Sequence, residues 1–270
     1  MTRNALVISG NLRCSFWLVD GKQTLADKFY QAFSPYNCDI FLVTSYHNYV
    51  KSAKDKIINN IFTLDEIKQL PYFKQVVDYL IVEDMKDFKE RRDKYFQLFE
   101  KRFHKNGIVE SDWGVKNGHL EENMQFTITD QYLRKQIVFE LLEKYEKQHH
   151  IKYDNIIYSR PDLLLLHPLD LSSLKEDFIY GAGYAVPREA HFSEQFMYGK
   201  AKTMKELFKN LLKNYGKNYG YNKYDRYGPE RVVAYYIIAL GFNIFETHRN
   251  TQSYISNDGE DFYYFQANKK

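Results

Sequence analysis

The chain has 270 residues, enough for one sizeable core, and 44% hydrophobic with 27% charged residues marks a folded globular protein rather than a disordered one. A formal net charge of +3 is too small to imply nucleic-acid binding. Two cysteines, Cys14 and Cys38, exclude a disulfide scaffold and a cysteine-rich metal site, and fit reduced thiols in a reducing compartment.

The opening apolar stretch is too short for a signal peptide. The longest one, Val232–Phe242, falls short of the roughly 20 residues a membrane span needs. The expectation is a chain without a transmembrane segment, located in the cytoplasm (a host's, were the source viral). The 24 Tyr and 20 Phe, with abundant Lys and Asn, follow the bias of an AT-rich coding sequence, so a tyrosine is not by itself a functional signal.

In chain order, "ALVISG" (Ala5–Gly10) is a continuous apolar run closed by glycine, the pattern of a buried parallel strand. "LADKFYQAF" has helical spacing and stops at Ser34-Pro35. "CDIFLVTSY" (Cys38–Tyr46) is a second buried strand, which completes one βαβ unit. Thr63 with Glu66 three residues on forms a capping box for the helix "TLDEIKQL". "YLIVED" (Tyr79–Asp84) reads as a third strand, and Asp87–Phe103 as an amphipathic helix with a solvated charged face.

Residues 105–125 lack a period and read as a loop insertion. A helix from about Thr129 to Gln148 turns Leu133, Ile137, Leu141 and Leu142 inward. The strand "DNIIYS" follows, then Arg160-Pro161-Asp162 and four leucines. After "DFIYGAGY" (strand) and "EQFMYGK" come a helix over Lys202–Tyr215, a Tyr/Gly-rich loop at 214–229, a helix over Pro229–Leu240, the strand "FNIFE" and a polar, aromatic tail. Strands alternating with helices give the expected fold: one α/β domain over residues 1–270, a mainly parallel, Rossmann-like sheet flanked by helices.

Ligands of open α/β sheets bind at the carboxyl ends of strands, and three such ends carry polar residues. The first is Ser9, Gly10, Asn11 and Arg13, where exposed N–H groups and an arginine suit phosphate, or else form a plain tight turn. It is neither a dinucleotide fingerprint nor a P-loop. The second is Thr44 and Ser45, a base pocket or a capped strand-to-helix turn. The third is Arg160-Pro161-Asp162. Pro161 keeps Arg160 out of a helix and turns the chain sharply. Asp162 there suits a hard divalent cation, Arg160 a phosphate, and the two together suit a salt bridge. His149 and His150 end a helix, His167 stands in a loop, and neither His191 nor His248 has a metal-ligand spacing.

"ALVISGNLR", "YNCDIFLVTSY", "DQYLRKQIVFELLEKYEKQHHIKYDNIIYSRPDLLL", "SEQFMYG" and "GPERVVAYYI", in that order, resemble a group of bacterial and large-DNA-virus glycosyltransferase-like proteins. That group is similar to the GT-A nucleotide-sugar transferases, whose DxD-like motif binds a divalent metal with the donor diphosphate. The resemblance implies Asp162 as the metal-facing carboxylate for Mn2+ or Mg2+. Arg160 stands where the first acid of a DxD would be, a departure that lets arginine take part of the diphosphate instead. It further implies Ser9, Gly10, Asn11, Arg13, Thr44 and Ser45 around the nucleotide, with Gln131 and Arg134 near the phosphates or sugar.

The partners implied are a nucleotide-diphosphate sugar donor and a glycan or other hydroxyl acceptor. Charge built on the leaving oxygen needs a metal or arginine, and an inverting transfer needs a general base, for which Glu194 is the candidate. Glu194 as a plain helix-proximal or solvent-facing carboxylate is the competing reading. Two rival functions are a non-catalytic sugar- or nucleotide-binding protein, favoured by Arg160, and a nucleotidyltransferase, disfavoured by the lack of a Gly/Lys-rich loop after the first strand. The Tyr/Gly-rich loop is an acceptor lid or a composition-driven surface loop.

Overall fold

The computed structural model describes residues 2–12, 15–16, 18, 22–51, 57–105, 115–116, 119–120, 122–165, 168–186, 189–214, 229–246, 251–256 and 262–264. Seven strands form the central sheet: β1 (Asn4–Ser9), β2 (Cys38–Thr44), β3 (Val76–Ile81), β4 (Asn155–Ser159), β5 (Phe178–Val186), β6 (Glu189–Lys200) and β7 (Asn243–Glu246). Their spatial order is β7-β5-β6-β4-β1-β2-β3. All run parallel except β6, which opposes both β4 and β5. The expected α/β, Rossmann-like architecture is the one observed.

Strands β1, β2 and β4 carry continuous apolar runs because both faces are covered. Alternate residues go to opposite sides: Ala5, Val7, Phe41, Val43, Ile156 and Tyr158 to one core, Leu6, Ile8, Ile40, Leu42 and Ile157 to the other. The helices are α1 (Leu25–Phe33), α2 (Leu64–Lys68), α3 (Phe88–Lys105), α4 (Glu122–His149), α5 (Ala201–Lys209), α6 (Leu211–Asn214) and α7 (Pro229–Ala239). Helices α4, α5 and α7 cover the first face through Leu133, Ile137, Met204, Phe208 and Val233, while Phe29 and Phe33 of α1 cover the second. Among the described residues no helix is long and apolar enough to cross a membrane.

Several elements differ from the sequence reading. The helix expected over Lys202–Tyr215 is broken at Asn210 into α5 and α6. Helix α4 starts at Glu122 rather than Thr129, and two short strands, Val115–Lys116 and His119–Leu120, lie in the expected insertion. The polar tail contributes strands Thr251–Ser256 and Phe262–Tyr264, the former pairing with Leu163–Leu165 directly after Asp162. A hairpin of His47–Lys51 and Ile57–Ile61 follows β2. The remaining insertion residues and 215–228, most of the Tyr/Gly-rich loop, lie outside the described residues.

The topology itself marks one position. From β1 the chain moves outward to β2 and β3, then returns to place β4 on the other side of β1. The strand order reverses there, so the connections leave in opposite directions, and open α/β sheets carry their binding crevice at such a place, here the carboxyl ends of β1 and β4.

Candidate functional site

Register brings the expected polar ends to one edge: Ile8 lies beside Ser159 of β4, and Ser9 beside Val43 of β2. Gly10 follows with φ +140°, a conformation L side chains rarely adopt. A Cβ on Gly10 would stand 3.3 Å from Pro161 Cδ, so glycine lets the β1 and β4 turns close on each other. The Gly10 N–H donates to the Val43 carbonyl at 3.1 Å, and the Thr44 hydroxyl donates to the Gly10 carbonyl at 2.8 Å. Ser9 and Tyr158 share a hydroxyl hydrogen bond of 3.1 Å. Ser9, Gly10, Asn11, Thr44 and Arg160 therefore converge on the crevice.

Within the turn after β4, Arg160 and Asp162 bind each other. Arg160 Nε donates to Asp162 Oδ1 at 2.8 Å and Nη2 donates to Oδ2, a bidentate ion pair. The side chains are only 11% and 1% exposed. Burial works against the charged guanidinium, but Asp162, with help from Glu194, outweighs it and raises the Arg160 pKa. The backbone N–H of Arg160 donates to the Gln195 carbonyl at 3.1 Å, which ties the turn to β6.

That tie explains how Glu194 arrives. Strand β6 runs against β4 with Phe196 opposite Ser159, so Glu194 extends beyond the carboxyl end of β4, beside the crevice. It is buried, and Lys135 Nζ of α4 donates to its Oε2 at 2.6 Å. Lys135 is itself buried, with its ammonium 4.6 Å from the Tyr132 ring centre and 5.4 Å from that of Tyr158. Burial, reinforced by the Glu194 charge, raises the Tyr158 phenol pKa, so it acts as a neutral hydroxyl.

At the outer end of the crevice Arg134 spans two elements. Its Nη1 donates to Asn11 Oδ1 at 3.0 Å and its Nη2 to Asp130 Oδ2 at 3.2 Å. Gln131, partly exposed, is on the same turn of α4. Ser45 has a different role: its hydroxyl donates to Glu83, which also accepts the N–H groups of Tyr46 at 3.1 Å and His47 at 3.2 Å. Ser45 thus anchors the hairpin after β2. Burial opposes ionisation of Glu83, but these hydrogen bonds prevail and lower its pKa. Arg13, His167 and His248 lie outside the described residues.

Asp162 is the residue from which Mn2+ or Mg2+ binding was expected. Both Asp162 oxygens accept from Arg160, the acid one would need at position 160 is a cation, and among the described residues no three His, Cys, Asp or Glu side chains gather as ligands. A hard cation wants several oxygen ligands. In this arrangement the residues do not fit a divalent ion at Asp162. Lys135, Tyr158 and Asp130 escaped the sequence reading. The Asp130–Arg134 spacing of four on a helix was a legible signal, whereas nothing local marked Lys135 or Tyr158.

No protein-family profile matches the chain and no curated protein does. Among solved structures, one described as a transferase mutant is 13% identical, covering 94% of this chain and 92% of that one, with a TM-score of 0.46. A likeness of that strength assigns neither activity nor site residues.

Proposed function

We propose that the chain is a glycosyltransferase of GT-A type, with the diphosphate of a nucleotide-sugar donor in the crevice between β1 and β4. The observation that carries this reading is the packing of Arg160-Pro161-Asp162 against Gly10 at the point where the strand order reverses, the position where open α/β sheets take their ligands. A guanidinium and the hydroxyls of Ser9 and Thr44 are grouped there in a water-poor setting, where a fixed charge acts more strongly on developing charge than in bulk water.

In this proposal Arg160 meets the negative charge that grows on the leaving diphosphate oxygen as the bond from sugar to phosphate breaks. The assignment goes to Arg160 rather than to a metal because the turn offers a single carboxylate and, among the described residues, no further acids gather with it as ligands. Glu194 is the proposed base for the acceptor hydroxyl, with Lys135 fixing the carboxylate in position. An inverting transfer follows from a base acting on the face opposite the leaving group.

The test is acceptor-dependent release of free nucleoside diphosphate from a panel of nucleotide sugars, with Glu194→Gln as the comparison. Turnover that drops at least about a hundredfold in this variant supports the reading, in line with the usual contribution of a general base. The closed Arg160–Asp162 pair favours a second reading, a nucleotide- or sugar-binding protein without turnover. Nucleotide-induced stabilisation without product release would select it. A panel that neither stabilises the protein nor turns over would sink both.

A further inference from the structure

One polar atom at the mouth of the crevice lacks a partner. Asp130 Oδ2 accepts from Arg134, but Oδ1 is buried and, among the described residues, receives no hydrogen bond. The Asp130 side chain as a whole is 23% exposed while Oδ1 itself is shut off from solvent, so a ligand reaches Oδ1 by a turn of the carboxyl group. Buried acceptors are nearly always satisfied, and an unsatisfied one at a binding crevice is an acceptor set out for a donor. Among the described residues the other such atom, the Tyr72 hydroxyl, is sealed in the core beside Phe29.

We infer that Asp130 accepts a hydrogen bond from a ring hydroxyl of the ligand, and that Arg134 is the residue that positions it. The inference rests on the transferase reading and narrows it. Two donor groups of Arg134 are already committed, to Asn11 and to Asp130 itself. A carboxylate beside them repels phosphate and attracts a hydroxyl. The crevice is thereby divided: phosphate belongs to the Arg160 end, and a hydroxylated ring, the ribose or the transferred sugar, to the Asp130 end. Gln131, on the same helical turn, falls on the ring side of that division.

The test uses calorimetric binding to wild type, Asp130→Asn and Asp130→Ala of UDP, GDP, CDP and ADP, their 2′-deoxy forms and their glucose conjugates. The Asp130→Asn variant keeps a carbonyl for Arg134 and turns an amino group outward, which exchanges acceptor for donor at little risk to the fold. The ligand that binds wild type should lose roughly ten- to hundredfold in affinity in both variants, the usual range for a hydrogen bond to a charged group. If the ribose is the source, the 2′-deoxy form binds wild type that much more weakly and the variants weaken it no further. If the sugar is the source, the gain of the glucose conjugate over its parent diphosphate disappears in the variants and the parent is unaffected.

Folded variants that bind every ligand as wild type does overturn the inference while leaving the transferase reading intact. A loss that neither source accounts for overturns the hydroxyl assignment. If nothing in the panel binds wild type, the transferase reading falls and this one with it.

Discussion

Asp162→Asn separates an arginine-held diphosphate site from a metal-held one, because the two predict opposite signs. In the wild type both carboxylate oxygens accept from Arg160, and the pair is almost wholly out of water. The variant leaves a buried guanidinium without its counter-charge, which costs about 3–5 kcal/mol. At roughly 2–4 °C per kcal/mol for a chain of this size, Tm falls by about 6–20 °C. An anion that reaches Arg160 now replaces the missing charge. In EDTA, pyrophosphate or the cognate nucleoside diphosphate should therefore stabilise the variant more than it stabilises wild type. Ligand at a hundredfold excess over Kd contributes about 2.7 kcal/mol, or roughly 5–11 °C. The assay is thermal unfolding with EDTA or with Mn2+, with and without ligand. Were Asp162 a metal ligand, wild type would respond to nucleotide only with Mn2+ and the variant would not respond at all. Either result, or a variant that melts early yet gains no more from the anion than wild type, refutes the reasoning.

Lys135→Met strands Glu194 at 3% exposure without its partner and should cost about 3–5 kcal/mol in urea unfolding. A loss under about 1 kcal/mol would mean that the pair contributes little to the fold, as exposed pairs do. Gly10→Ala forces a φ of +140° on an alanine and presses a Cβ against Pro161, so it should destabilise by about 1–3 kcal/mol and weaken the nucleotide response. An unchanged response in the variant would detach Gly10 from the site. Glu83 has a lowered pKa in the fold, so its contribution is present above the ordinary carboxyl value of 4.5 and is lost as pH falls through the folded value. Glu83→Gln should accordingly lower Tm near neutrality, and the gap to wild type should close on acidification; a gap that stays constant with pH would contradict this.

The inner strands β1 and β2 were legible because burial on both faces leaves a continuous apolar run, which is why "ALVISG" ends one residue past the observed β1 and "CDIFLVTSY" starts with β2 and runs two residues past its end. The Thr63/Glu66 capping box was read correctly from its spacing, while the same device at Thr24/Asp27 passed unnoticed. The clustering of three strand ends followed from the expectation of a parallel sheet. What could not be read was pairing at long range. That β6 opposes β4 depends on a register between residues about forty apart, and it is that register which brings Glu194 to the crevice. Gly181, inside the segment read as a strand, shows the same limit: a Cβ there would lie 2.6 Å from the Phe192 ring and 2.9 Å from the Phe196 carbonyl, a close contact with β6 that the strand pattern does not reveal. Lys135, between inward Leu133 and Ile137, has no local pattern that announces a partner 59 residues away.

The charged groups around the crevice are joined in pairs: Arg160 with Asp162, Lys135 with Glu194, Arg134 with Asp130. Two of these pairs close within a turn of the chain, but Lys135–Glu194 joins α4 to β6, and the Arg134 bond to Asn11 joins α4 to the end of β1. The helix that covers one face of the sheet is thereby fixed to both walls of the crevice before any ligand arrives. Buried ion pairs of this kind add little net stability over apolar side chains of equal volume, so stability alone is a weak account of them. Their consequence is positional. Dipoles and charges already in place need no reorganisation when charge develops next to them. An anion added to such a balanced set must take a cation from an existing pair, and the pair with the most exposed cation is Arg160–Asp162, at 11% against 8% for Arg134 and 1% for Lys135. The margin over Arg134 is small, and each arginine makes two side-chain hydrogen bonds, but both bonds of Arg160 stay within its own turn whereas Arg134 ties α4 to the end of β1, so exchange at Arg160 leaves the link between elements in place. Diphosphate should therefore enter at the turn after β4, with the α4 pairs left to hold the frame around it.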